Sequence, residues 1–383
     1  MPGVRVVGVG DSSWMKSTTA VPDVQVISYP APEKSGVSTH PYVRKFDDAV
    51  RRGQQVVETL TAHKQQGLEP DVILAHPGWG DAFFLRDFFP GSKVIGLFEY
   101  FYRPRGADVG FDPESPSRLD DIFRLRVLNA TQLLALDSCD EGFCPTTWQR
   151  SLFPAMWKER LSVLHEGVDT GAVTPDAAAT VTLPDGATFH AGEEVLTFVS
   201  RNLEPYRGYH VFMRALPAIL QARPQCHVLI VGADGVSYGP GLPAPQTYRQ
   251  KYLDEVADKI DLSRVHFTGH LPFADYLKVL QVSRLHVYLT YPFILSWSMM
   301  EAMSAGCLLL ASATRPVEEV LTEGENGLLF PFLSHDALAQ RAIEALANPA
   351  AFAELRRHAR ETIVRKYDFE TVSLPAYLRM LKV

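Results

Sequence analysis

Residues 285–330 read LHVYLTYPFILSWSMMEAMSAGCLLLASATRPVEEVLTEGENGLLF. Leu285 to Thr290 is an apolar run closed by Tyr291-Pro292, the pattern of a buried strand. Ser296 to Ala305 places apolar residues at helical spacing among helix formers, and Gly306 stops it. Cys307 to Ala311 is a second buried strand. Pro316 to Leu321 is a short helix, and Asn326-Gly327 turns the chain into another apolar run. Strand, helix and strand in that order make a parallel crossover. Such sheets bind ligands beyond the carboxyl ends of their strands, where helix N-termini point. The loop Tyr291 to Leu295 lies at such a place, and Glu301 lies in the first turns of the helix after it.

Working outward, the same alternation fills the second half. Strands are expected at Val195–Ser200, His227–Val231 and Val265–Thr268, and helices at Gly208–Ala222, Tyr248–Lys259 and Ala274–Leu280. Helical segments at Asp336–Leu346, Ala350–Tyr367 and Thr371–Leu381 close the chain. The first half has strands at Val4–Val9, Val24–Ser28, Asp71–Ala75 and Lys93–Phe98, then at Gly142–Pro145 and Leu161–Leu164. Its helices are Lys45–Gln66, Ala82–Phe88 and Leu119–Ala135. The link Gly10–Pro22 is too short for a crossover with a long helix. Pro184-Asp185-Gly186 is a hairpin turn in a small, polar stretch at 170–193. The pattern gives an α/β chain of two doubly wound, Rossmann-like domains, 1–190 and 191–370. The cleft between two such domains is the default ligand site.

The length of 383 residues suits two domains rather than one core. With 46% hydrophobic and 21% charged residues the composition is that of an ordinary globular protein. A net charge of −7 with scattered Lys and Arg argues against nucleic acid as a partner. Cys139, Cys144, Cys226 and Cys307 lack zinc-site spacing, so they read as free thiols of a reducing cytosol. No apolar run reaches a membrane span. The N-terminus lacks a signal pattern. The expected location is cytoplasmic, and peripheral contact with the inner face of a membrane through an amphipathic helix stays open.

Val199-Ser-Arg201-Asn-Leu-Glu-Pro-Tyr-Arg207-Gly208, Leu229-Ile-Val-Gly232 and Phe293 to Gly306 resemble the retaining glycosyltransferases of family 4 (glycosyl transferases group 1). Leu164-His-Glu-Gly167-Val-Asp169 is similar to that family's linker-proximal segment. The resemblance implies the GT-B fold, with the final helix, 371–383, packing back on the N-terminal domain. It implies transfer of a sugar from a nucleotide-diphosphate donor to a hydroxyl acceptor, without metal or other cofactor. The absence of an Asp-x-Asp motif fits. Arg201 and Arg207 would then meet the charge growing on the departing diphosphate. Glu301 would bind the ribose hydroxyls; its rival role is to close a capping box with Ser298. The amides of Leu295 and Ser296 would face the phosphates. Gly232 would allow close approach of the nucleotide, or simply make a tight turn, and the chain at Leu271 would read the base. Two features depart from the family. Phe293 stands where it usually has the first glutamate of a pair, packing against the donor sugar or simply buried. The N-terminal unit also reads as abbreviated.

In the first half the resemblance places Glu99 at or beside the position of a family histidine near the donor sugar. There it would orient the acceptor or stabilise the anomeric carbon. His76, Trp79 and Asp81 on the neighbouring loop are acceptor-side candidates, as are Arg103, Arg105 and Asp112. Each has a plain structural alternative. The expected partners are a nucleotide sugar and a hydroxyl-bearing glycan, lipid-linked or small natural-product acceptor. The rival functions are a catalytically impaired homologue that binds a nucleotide or a protein, and a GT-B epimerase or phosphorylase.

Overall fold

The computed structural model describes residues 3–15 and 23–382. The chain forms two compact units. The first takes the chain up to Arg105, Ser115–His165 and the chain from Ala376; the second takes Gly106–Glu114 and Glu166–Pro375.

In the first unit β1 (Val7–Asp11) and β2 (Gln25–Tyr29) form a parallel pair. A separate parallel sheet runs in the order β3 (Val72–Ala75), β4 (Lys93–Leu97), β5 (Glu141–Cys144) and β6 (Leu161–Val163). Among the described residues the link between β1 and β2 carries the turn of helix Ser12–Met15; its Ser-Thr-Thr part lies outside them. The helix Arg44–Gln65 lays Val56 and Leu60 over Ile27, Tyr29, Leu85 and Phe89. A Cβ at Gly96 or Gly142 would lie 2.5 or 2.6 Å from the Phe98 ring, so these glycines let Phe98 lie across β4 and β5. The single helix expected over Leu119–Ala135 is instead two, Leu119–Leu128 and Ala130–Ser138. Between them the Asn129 side chain accepts from the Tyr102 amide (3.0 Å) and donates to the Tyr102 carbonyl (2.9 Å). Residues from Ala376 onward belong to this unit. There Tyr377 packs edge-on against Phe143, and Lys93 donates to the Met380 carbonyl at 3.2 Å.

The second unit begins earlier than the expected boundary near 190. The hairpin β7 (Thr180–Thr182) and β8 (Thr188–His190), turned by Pro184-Asp185-Gly186, buries Val181, Leu183 and Phe189 against Val195, Leu229 and Val279 of this unit. The main sheet holds β9 (Val195–Asn202), β10 (His227–Ala233), β11 (Val265–Gly269), β12 (Leu285–Tyr288), β13 (Leu309–Ser312) and β14 (Leu328–Phe330). All are parallel, in the order β11-β10-β9-β12-β13-β14. The chain builds outward from β9 in one direction, then returns to β12 and builds in the other. The order therefore reverses between β9 and β12, and the carboxyl ends of these two strands form the topological switch point.

The segment Gly106–Glu114 also belongs to this unit, and with it Asp112, expected on the acceptor side. Asp112 is buried, with its carboxylate 3.0 Å from His210 Nε2 and accepting from Tyr291 Oη at 2.6 Å. Phe111 packs beside Tyr291 and Phe332, and Tyr206 donates to Asp108 at 2.9 Å. Burial pushes the Asp112 pKa up. The hydrogen bonds of His210, Tyr291 and the Glu114 amide outweigh burial and leave it lowered from 3.8 to about 2.

A carboxyl with a lowered folded-state pKa stabilises the fold above its unfolded value, and loses that contribution as pH falls through the folded one. For Asp112 the window is pH 4 to 2 and the contribution is about 2 kcal/mol. The wild type should therefore lose Tm more steeply than Asp112→Asn between about pH 4.5 and 2.5. Equal slopes in scanning calorimetry would exclude the linkage.

Candidate functional site

At the end of β9, Arg201 is exposed while Leu203 and Glu204 turn inward. Glu204 is fully buried, and its carboxylate accepts from the amides of Ser237 (2.9 Å), Tyr238 (3.2 Å) and Gly239 (3.2 Å). One buried carboxylate thereby fixes the loop after β10. The turn Pro205–Arg207 ends at Gly208, whose φ is +68°; a Cβ there would lie 2.3 Å from that of Leu289. Both the conformation and the close approach require glycine.

Arg207 is placed differently from expectation. It is only 7% exposed, and its Nη1 donates to Thr290 Oγ1 (2.8 Å), the Ile294 carbonyl (3.0 Å) and Tyr288 Oη (3.3 Å). Its guanidinium lies 5.1 Å from the centre of the Tyr238 ring. Arg207 thus ties the loop after β12 to the turn after β9. Arg201 is the member of the pair that faces solvent at the switch point.

Phe293 is buried in an aromatic cluster, 4.9 Å from Tyr238 and 5.5 Å from Tyr206 between ring centres. Of the two readings of Phe293, burial is the one its surroundings match. Leu295 packs its half-buried side chain on the core. Ser296 is the N-cap of the helix Trp297–Ser304, accepting from Ser298 N at 3.3 Å. Its own amide donates to Tyr288 Oη at 2.8 Å, a different partner from the phosphate expected.

Because the cap is Ser296, the proposed capping box of Ser298 and Glu301 does not form. The Glu301 carboxylate instead accepts from Tyr276 Oη at 2.6 Å. Burial raises its pKa and the Tyr276 hydrogen bond opposes this. At Gly232 a Cβ would lie 2.7 Å from the Ser200 carbonyl, so packing of β10 on β9 explains the glycine. The Leu271 side chain packs on the core beneath the β7–β8 hairpin.

In the first unit, His76 follows β3 and Glu99 follows β4, with His76 Nε2 3.5 Å from Glu99 Oε2. Trp79 is 64% exposed, with its ring 6.3 Å from that of His76. Asp81 accepts from Tyr29 Oη, to which Arg52 Nη1 donates at 2.8 Å; Arg52 also reaches Asp11 at 3.2 Å. His76, Trp79, Asp81 and Glu99 therefore come together along the carboxyl ends of the strands. Sequence reasoning missed the supporting Asp11, Tyr29 and Arg52; the positions of Asp11 and Tyr29 at their strand ends were the available signal. Arg103, another acceptor-side candidate, braces its own loop. Its Nε donates to the Leu152 carbonyl at 2.6 Å and its guanidinium covers Phe101.

Among the described residues, Asp112, Glu114 and His210 bring potential metal-ligand atoms within 4.8 Å of one another. They do not fit a cation. Asp112 is engaged by His210 and Tyr291, and Glu114 is paired with the Arg214 guanidinium, which also holds Glu255 at 2.7 Å.

Residues 3–173 match the Glycosyl transferase family 4 group, and residues 185–363 match Glycosyl transferases group 1. Both halves of the chain thus match glycosyl transferase families. The chain is 29% identical over 188 residues to the D-inositol 3-phosphate glycosyltransferase of Corynebacterium efficiens, covering 47% of this chain and 42% of that one. It is 25% identical over 182 residues to the glycogen synthase of Mycobacterium tuberculosis, covering 48% and 41%. The matched stretch thus spans about two fifths of each curated relative. Among solved structures, the sucrose-phosphate synthase of Thermosynechococcus elongatus superposes with a TM-score of 0.72 at 20% identity, covering 99% of this chain and 89% of that one. The Anabaena protein HepE, in complex with UDP-glucose, superposes with a TM-score of 0.63 at 17% identity, covering 94% and 86%. The fold is GT-B, with two Rossmann-like domains. Among the described residues no helix is long and apolar enough to cross a membrane.

The two arginines should separate in a stability measurement. Arg207→Ala strands buried partners and should cost about 3–5 kcal/mol, a fall in Tm of roughly 10 °C. Arg201→Ala changes an exposed side chain and should stay within about 0.5 kcal/mol. Scanning calorimetry of both variants checks this, and the reverse ranking would refute the assignment.

Proposed function

We propose that this glycosyltransferase is a metal-independent, retaining enzyme that moves a hexosyl group from a nucleotide-diphosphate donor to a hydroxyl acceptor. The observation that carries the reading is Glu301. Its helix is capped by Ser296, so the carboxylate is not spent on the helix end. It is held by Tyr276 near the carboxyl edge of the sheet. A carboxylate so held is suited to accept hydrogen bonds from two vicinal ribose hydroxyls.

The chemistry then asks for positive charge where the diphosphate leaves. Arg201, exposed at the end of β9, supplies it; Arg207 acts through the loop it anchors. The acceptor oxygen attacks the anomeric carbon on the face from which the diphosphate departs. The new C–O bond forms as the old one breaks, and a phosphate oxygen takes the acceptor proton. No strong enzymic base is needed; His76 and Glu99 of the first unit are the candidates to orient the acceptor hydroxyl. HepE in complex with UDP-glucose makes UDP-glucose the first donor to try.

The first test is a thermal-shift panel of UDP, GDP, ADP and TDP on wild type and Glu301→Gln. A ligand of the native state at about a hundred times its Kd adds about 2.7 kcal/mol, a rise of roughly 5–10 °C. One nucleotide should produce this rise in the wild type and most of it should vanish in the variant. No rise with any of them would favour the impaired homologue, to which the buried Phe293 already points. With donor and acceptor in hand, Arg201→Ala should lower turnover about a hundredfold. Inversion at the anomeric carbon by NMR would overturn retention, and loss of turnover in EDTA would overturn metal independence.

A further inference from the structure

The first unit contains a cavity of about 350 Å³, most of whose lining belongs to no expected site. It lies where the sheet is interrupted. Val7 and Val9 of β1 line one side, and Val72, Ile73, Leu74 and Ala75 of β3 line the other. These strands share no ladder among the described residues, because β1 pairs with β2 and β3 pairs with β4. Two strands that do not close on one another leave a gap in the core. Val56, Leu60, Leu68, Leu85 and Phe89 complete an apolar lining.

The polar groups of the lining are Tyr29, His76, Trp79 and Asp81. Three of these are the acceptor-side candidates of the sequence. Tyr29 and Asp81 are hydrogen-bonded to one another and steadied by Arg52. His76 Nδ1 is buried and has no hydrogen-bond partner among the described residues. Trp79, at 64% exposure, and Leu74, at 47%, bring the lining to the surface. An apolar chamber of a few hundred Å³ with a small polar group near its opening is the usual make-up of a small-molecule site. A polysaccharide, whose hydroxyls would lose water against Val, Leu and Phe, does not suit it.

We propose that this cavity takes the apolar tail of an amphiphilic acceptor, an alkyl or aryl group whose attached hydroxyl is held at the rim by His76 and Asp81. The acceptor role rests on the transferase reading above; the tail site itself does not. Burial of the tail supplies affinity in proportion to its length, while the polar rim selects the hydroxyl end.

The test is calorimetric titration of the full chain, without donor, with methyl, butyl, hexyl and octyl β-glucosides below their micelle concentrations. Each buried methylene should tighten binding about fourfold, and the gain should level off once the tail fills the cavity. Leu74→Glu, at a half-exposed rim position, should weaken the hexyl compound at least about tenfold by putting a charge against the tail. Far-UV circular dichroism and the melting temperature, compared with wild type, report whether that variant is folded. A flat series, with nucleotide binding intact, overturns the tail site and leaves the transferase standing. A steep series that Leu74→Glu does not blunt, in a folded variant, also overturns it, because the tails then bind elsewhere. A steep series in a protein that binds no nucleotide overturns the acceptor role.

Discussion

The second unit depends on a cation placed where water cannot reach it. Arg207 is 7% exposed, and a guanidinium in that position is tolerated only because oxygen atoms and an aromatic face surround it. Those partners come from the loop after β12, from Tyr288 at the end of that strand, and from Tyr238 in the loop after β10. Glu204, three residues earlier in the chain and fully buried, holds the same Tyr238 loop through three backbone amides. A buried cation and a buried anion therefore position the loops around the switch point. The order of the strands creates a crevice there, and the two charges give it a fixed wall.

That arrangement divides the labour among residues that look alike in sequence. Arg201 and Arg207 both border the turn after β9, yet one is exposed and the other is internal. Phe293 belongs with the internal set. It fills the aromatic cluster of Tyr206 and Tyr238. Glu301 stays apart from the cluster, held by a single tyrosine. The switch point is thus bordered by one half-buried carboxylate, one exposed arginine and an aromatic cluster.

The first unit follows a different logic. Its opening strands form a pair of their own, so the sheet is interrupted and a cavity takes the place of a ladder. Polar residues nevertheless gather at the carboxyl ends of β1 to β4, as the direction of parallel strands requires. Asp11, Arg52, Tyr29 and Asp81 make a continuous chain of hydrogen bonds, and His76 pairs with Glu99 beside it.

The alternation of strands and helices, the parallel crossovers, the hairpin at Pro184-Asp185-Gly186 and the helix that carries Glu301 were legible in the sequence. Each is set by local spacing of apolar residues, glycines and caps, which acts over a few residues. The candidate positions at strand ends were legible for the same reason. What each side chain does was not. Arg207 finds Thr290 83 residues away, Asp112 finds Tyr291 179 away, and Asp81 finds Tyr29 52 away. Even Tyr276, 25 residues before Glu301, lies on a different helix. Sequence by itself determined the architecture and the edge of the sheet where chemistry belongs. Only the tertiary structure decided which charges are buried and which are presented, because burial and pairing depend on distant residues that no local pattern contains.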